Sequence, residues 1–276
     1  MKQIPRQAIT ELLDQLRGTV GLYIHVLDTN EIFELHPDHV YPSASVIKIP
    51  ILALLLQDVA AGTVNWDDRR SIAPENLVGG TGVLFELDSD YTPSVATLAR
   101  LMIILSDNSA TNEIIDMVGM ERVNQFCQAM GMPNTKLMRK MMDFAAIEAG
   151  RNNYMCAGEA GRLLVQLAKG EFVSPEISQK IVEIMEHQQC RNKLPAFIPA
   201  VPSYATAEEK KHLEPDTVLV ANKTGDLLGI QHDVGIFTLP DGRRYVISMF
   251  TGDLADDAEG IQAVAQVSKL VYEALK

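Results

Sequence analysis

Cysteine is scarce in this chain, with three among 276 residues, and aromatic side chains make up only 6%, with a single Trp. Cys127, Cys156 and Cys190 show no Cys-x-x-Cys spacing, and an odd number cannot complete a disulfide framework. They read as reduced, buried thiols. No grouping of His, Cys and carboxylates has metal-ligand spacing, so neither a metal nor a cofactor is expected. Positive charge is short as well: 24 Lys plus Arg stand against 36 Asp plus Glu, for a net charge of −12. That balance repels a nucleic-acid backbone or an anionic membrane overall, so neither is expected as a partner. No apolar run reaches the roughly 20 residues of a membrane span. The first 18 residues lack the apolar centre of a signal peptide. As written, the chain is expected to be cytoplasmic, or secreted if a leader was removed. Oligomeric state is left open, and a monomer is compatible with the sequence.

What is present is enough apolar material, 47% of residues, for a large core. Ala8, Leu12, Leu13 and Leu16 repeat with helical period, and Gly18 stops that helix. Val20 to Leu27 reads as a strand, Asp28-Thr29-Asn30 as a turn and Glu31 to Leu35 as the hairpin partner. From Ser43 to Gln189 the pattern is mostly helical. Arg139 to Asn153 has no clear apolar period and reads as an extended loop, and Leu194 to Asp216, with four prolines, as an irregular connection. Three strands follow (Val218 to Lys223, Ile230 to Leu239, Arg244 to Thr251), with Asp241-Gly242 as a hairpin signal and a terminal helix carrying Ile261, Val264 and Val267. The fold class is therefore α+β. One antiparallel sheet draws strands from both chain ends (1–40 and 195–276) and is flanked by the terminal helices. Residues 41–194 form an all-helical lobe, and a site belongs in the cleft between the two.

Chemistry concentrates at Tyr41-Pro42-Ser43-Ala44-Ser45-Val46-Ile47-Lys48, which opens an almost wholly apolar helix. Ser43 is a good N-cap, and Ser45 and Lys48, three apart, share one face of the first turn. A hydroxyl beside a buried amine is how a serine nucleophile acquires a base. Pro50 should distort the helix just past Lys48. Further on stand Ser106-Asp107-Asn108 and Lys223-Thr224-Gly225. Taken alone, the first is an ordinary helix cap and the second a strand end with a turn. All three motifs in this order should arise by chance on the order of once in a thousand such chains. Gly79-Gly80-Thr81-Gly82 has no Gly-Lys-Ser/Thr after it, so it reads as a flexible loop and not a phosphate cradle. His232-Asp233 suggests a Ser-His-Asp triad, but Lys48 already offers a base, and the pair reads as structural.

The motif set resembles that of the class A β-lactamase-like serine hydrolases, within the penicillin-recognising serine enzymes, over nearly the whole length. The resemblance implies an acyl-enzyme formed on Ser45, with Lys48 taking its proton and Ser106 relaying a proton to the leaving nitrogen. Asn108 would donate its amide to a substrate carbonyl. Lys223 and Thr224 would receive a substrate carboxylate, and Gly225 would let the backbone come close. Backbone N–H groups of Ser45 and Asp226 would form the oxyanion hole. The implied reaction is hydrolysis of a small-molecule substrate, a β-lactam or related amides and esters. The alternatives are a penicillin-binding or sensing module, or a D-amino-acid peptidase or esterase with little β-lactam turnover.

One part of the resemblance fails. Class A enzymes carry Glu-x-x-Leu-Asn on a long loop beside the nucleophile, where the glutamate activates the deacylating water. The corresponding stretch, Arg139 to Asn153, lacks it. Asp143 and Glu148 are its only carboxylates. The base is then Asp143 (the first choice), Glu148 or Lys48 again, unless Asp143 merely pairs with Arg139 or Arg151.

Overall fold

The computed structural model describes residues 2–88, 90–203, 205–206, 208–209 and 214–276. Alternating apolar residues at both chain ends give strands β1 (Thr19–Val26), β2 (Glu31–Leu35), β5 (Leu219–Leu227), β6 (Ile230–Thr238) and β7 (Arg244–Gly252). They form one sheet in the order β2-β1-β7-β6-β5, with every pairing antiparallel. N- and C-terminal strands meet at β1–β7, where Ile24 faces Ile247. The α+β sheet expected from the sequence is thus the observed one. The irregular connection expected over Leu194 to Asp216 lies partly outside the described residues.

Helices cover both faces of the sheet. One face packs on α1 (Arg6–Leu13) and α9 (Asp257–Leu275), burying Ile9, Ile24, Ile247, Val264 and Val267 together. The other face shares a core with the middle of the chain. That middle holds α2 (Lys48–Ala60), α3 (Val95–Ile104), α4 (Asn108–Val118), α5 (Met120–Ala129), α6 (Phe144–Glu148), α7 (Ala157–Lys169) and α8 (Pro175–Glu186). Its core runs unbroken from Leu52, Leu55 and Met102 to Val234, Val246 and Phe250 on the sheet. The central segment is not purely helical, because β3 (Val40–Pro42) pairs with β4 (Tyr154–Cys156). That short ribbon brings the Ser43–Lys48 segment against the far end of the Arg139–Asn153 loop: Ser43 N donates to Asn153 O at 2.9 Å.

Three local expectations need correction. Ser43 is no side-chain cap; the chain enters through a 3-10 turn, Ala44–Ile47, and α2 begins at Lys48. Pro50 therefore lies in the first turn of α2, where its missing N–H would have no intrahelical partner, and it needs no distortion. The Lys223-Thr224-Gly225 motif does not end its strand. It lies within β5, at the sheet edge, with Thr224 opposite Asp233 and Gly225 opposite His232.

Candidate active site

The 3-10 turn sets the side on which the hydroxyl and the amine lie. In that geometry side chains three apart eclipse, so Ser45 and Lys48 share one side of the turn. Entry to the turn requires Ala44 at φ 45°. Ser45 is half-buried, whereas Lys48 is fully buried at the head of α2. The Lys48 ammonium donates to Ser106 O at 2.7 Å, Asn108 Oδ1 at 3.0 Å and Ser106 Oγ at 3.1 Å. Burial pushes Lys48 well below the usual lysine range, helped by the Lys223 cation and opposed by Asp107 and Cys190. Three acceptors around Nζ favour the ammonium. Loss of one proton leaves a lone pair on the nitrogen and one acceptor free.

Ser106 sits between α3 and α4 at φ 54°, a left-handed backbone for a residue that is not glycine. Its neighbour Asp107 holds that geometry. Asp107 Oδ1 accepts from Ala110 N at 2.9 Å, capping α4, while Oδ2 accepts from Val83 N at 2.7 Å and Leu84 N at 2.8 Å. The glycine-rich loop is consequently no free loop. Asn108 N donates to Thr81 O at 3.0 Å, Thr81 Oγ1 donates to Ser106 O at 2.6 Å and Asn108 Nδ2 donates to Gly79 O at 3.0 Å. A Cβ at Gly82 would lie 2.2 Å from the Asp107 carboxylate, which makes glycine obligatory there. Asn108, expected to reach a substrate carbonyl, divides its amide between Lys48 and this loop.

Across from these, β5 supplies Thr224 and Asp226 at its edge. A Cβ on Gly225 would come within 3.1 Å of Ala44 Cβ and Val46 Cγ2, so glycine lets the strand close on the Ala44–Ile47 turn. Lys223 is fully buried and donates to Thr224 O at 2.9 Å. Burial lowers its pKa to about 8 against the opposing pull of Cys190, Asp226 and Asp233. Two residues that the motifs do not mark stand here. Lys193, buried, lies 2.6 Å from Asp226 Oδ1, and Cys190 lines the cleft. Nothing local in the sequence signals either, because a tertiary approach over some 30 residues creates the contact.

His232 and Asp233 are engaged in holding the fold. Thr251 N donates to His232 Nδ1 at 3.1 Å, which makes Nε2 the N–H that donates to Pro42 O at 2.9 Å. Asp233 accepts from Leu194 N and Asn222 Nδ2. Burial drives His232 down to about 3 and Asp233 up to about 6.

The remaining wall is the Arg139–Asn153 loop. Its neck is closed by Asn153, whose Oδ1 accepts from Met138 N and Arg139 N and whose Nδ2 donates to Arg139 O. Met141 is held by Asn112, which accepts from Met141 N at 2.7 Å. Met141, Met142, Phe144 and Ile147 face the cleft, a cavity of about 520 Å³ that also contains Ala44, Ser45, Ser106, Asn108, Thr224 and Asp226. Asp143 does not line it. The Asp143 side chain caps α6 by accepting from Ala146 N at 2.9 Å, which corrects its reading as the first-choice base. The loop is likewise less extended than expected, because α6 folds inside it. Glu148 is exposed at the end of α6 and is also absent from the lining. A larger hollow of about 810 Å³ beside α3 and α8, lined by Trp66, Arg100 and Lys180, holds none of the motif residues.

A sheet edge and a helical lobe that close on a Ser-x-x-Lys turn define the class of fold shared by β-lactamases and related penicillin-binding proteins. Residues 4–275 match the model of the β-lactamase enzyme family, and the chain belongs to that family. It is 25% identical to a β-lactamase of Bacteroides uniformis over 97% of this chain and 90% of that one. Among solved structures, a β-lactamase from Sphaerobacter thermophilus superposes with a TM-score of 0.85 at 27% identity, covering 99% of this chain and 98% of the other. PBP-A, in a glutamate-for-leucine mutant captured as an acyl-enzyme complex with penicillin G, gives 0.84 at 29% identity over 98% and 95%.

Proposed function

We propose that this protein is a serine acyl-transfer enzyme that is acylated at Ser45 by β-lactams and related amides or esters, and that it releases the acyl group from penicillins slowly. The observation that carries the reading is the bridge from Lys48 Nζ to Ser106 Oγ, in the cavity that Ser45 also lines. Ser45 Oγ attacks the carbonyl carbon and its proton passes to neutral Lys48. The oxyanion lies against the N–H groups of Ser45 and Asp226. Collapse breaks the C–N bond as Ser106 delivers a proton, taken in turn from Lys48, to the leaving nitrogen. The product is an ester on Ser45, with Lys48 neutral again.

Deacylation needs a base to hold water against that ester. Thioethers of Met141 and Met142 cannot accept a proton at neutral pH, and Asp143 is committed to its cap. Lys48 is the group left to take that proton. Small esters, whose acyl groups leave room for water, turn over better than penicillins. A penicillin-binding or sensing role, with an acyl-enzyme that persists, is the neighbouring reading, and the same methionine wall favours it. Stopped-flow mixing with a chromogenic cephalosporin separates these from an efficient β-lactamase. A stoichiometric burst and slow steady state are expected; fast, burst-free turnover would contradict the slow-release reading.

A further inference from the structure

Lys193 and Asp226 form an unequal pair. The Lys193 side chain is 0% exposed, and its ammonium donates to Asp226 Oδ1 at 2.6 Å, His232 O at 3.1 Å and Gly225 O at 3.5 Å. Asp226 is 56% exposed on its side chain and lines the catalytic cleft directly after Lys223-Thr224-Gly225. A negative group therefore stands where the resemblance has Lys223 and Thr224 receive a substrate carboxylate, while the Lys193 and Lys223 side chains lie buried behind it and do not line the cavity. The cation that holds it cannot leave, because its ammonium is enclosed by strand carbonyls.

We propose that Asp226 is a specificity-determining residue: an internal carboxylate, tied to Lys193, that competes with a substrate's own carboxylate for the cationic end of the cleft. The preferred acyl donors are then uncharged at that end, such as esters or amides without a free carboxylate. This rests on the acyl-enzyme reading above for the position of the substrate. Two lysines, Lys193 and Lys223, stand beside two aspartates, Asp226 and Asp233, so the formal charges of the four side chains cancel without a substrate carboxylate. An incoming carboxylate meets the Asp226 carboxylate, which covers the buried Lys193 ammonium at 2.6 Å, and gains little unless Asp226 swings into solvent. Its 56% exposure permits that swing, at the cost of leaving a buried ammonium without its carboxylate.

The test compares benzylpenicillin with its methyl ester, which differ only in the carboxylate, by following the rate of the intact-mass adduct against concentration. In the natural protein the acid should hold no advantage over the ester. Asp226→Asn keeps the shape and a hydrogen-bond acceptor for Lys193 but removes the charge. It should raise the acid-to-ester ratio roughly tenfold, the size of one charge-assisted hydrogen bond, and the gain should lie in the half-saturating concentration, not in the limiting rate. Lys193→Met, which strands Asp226, should move the ratio the other way, and the double variant should restore the direction of Asp226→Asn. Calorimetric binding of the same two compounds to proteins that also carry Ser45→Ala reads the charge effect without chemistry, so the proposal stands or falls even if no adduct forms. An unchanged ratio in Asp226→Asn, in both formats and with the melting temperature retained, would overturn it. Absence of an adduct with both compounds, together with the predicted binding shifts, would instead fault the acyl-enzyme reading alone.

Discussion

The two walls of the cleft are built from opposite materials. On the wall formed by the 3-10 turn, the α3–α4 junction and β5, polar side chains are buried and bonded. Lys48 meets three acceptors, Asp107 accepts three N–H groups and Lys223 caps a carbonyl. On the wall formed by the Arg139–Asn153 loop, the cleft sees Arg139 at its base and then Met141, Met142, Phe144 and Ile147, of which Phe144 is 61% exposed. Backbone strain reaches both sides, because Ala44, Ser106 and Met142 all hold positive φ and all line the cavity. Such strain persists only where surrounding bonds over-determine it. On the proposed function, the first wall makes the acyl-enzyme and the second supplies no base to break it.

The largest expected effect removes the first wall's reagent. Ser45→Ala should lower acylation by a factor on the order of 10⁴ or more and abolish the covalent adduct. Next is an attempt to give the second wall what it lacks. Met141 has a backbone fixed by Asn112, so Met141→Glu should place a carboxylate rigidly in the cleft. It should speed deacylation by roughly 10²- to 10⁴-fold, the usual contribution of a positioned base. Single-turnover decay of the adduct reads this directly, and an unchanged decay would show that more than the base is missing.

Asp107→Ala tests the rigidity of the first wall. Three N–H groups lose a buried acceptor, so stability should fall by about 3 kcal/mol or more, measured by urea unfolding. The pH profile tests its charge. Lys223, at about 8, is a cation below that pH and neutral above it. For carboxylate-bearing donors kcat/KM should hold below about 8 and decline above it, as Asp226 and Asp233 are left without that counter-charge. For neutral esters this limb should be absent. The smallest effect belongs to the second wall: Asp143→Ala should cost about 1 kcal/mol as a lost cap and leave deacylation unchanged. A large loss of deacylation would return Asp143 to the site.

How far the sequence can be read follows the same division. Ser45, Lys48, Ser106 and Lys223 sit in short motifs whose residue types the proposed chemistry demands, so they stand out from the order of residues alone. The sheet is legible because period-2 alternation and Asp241-Gly242 mark strands and turns locally. What stays hidden depends on tertiary approach. Lys193 becomes part of the site only because the segment before β5 packs under Gly225 and Asp226. Asp107 looks like a cap and is one, yet its second oxygen also fixes a loop whose composition suggests flexibility. Asp143 attracts notice as a carboxylate in the right stretch; nothing local shows that the chain turns into α6 immediately after it and claims its oxygen.

The most direct test of the central claim is the time course of intact mass after one equivalent of penicillin G is mixed with the protein. One adduct per chain is expected, mapped to Ser45, that forms quickly and persists long after free penicillin is exhausted. No adduct on Ser45, or an adduct that never accumulates because penicillin is hydrolysed as fast as it binds, would contradict that claim.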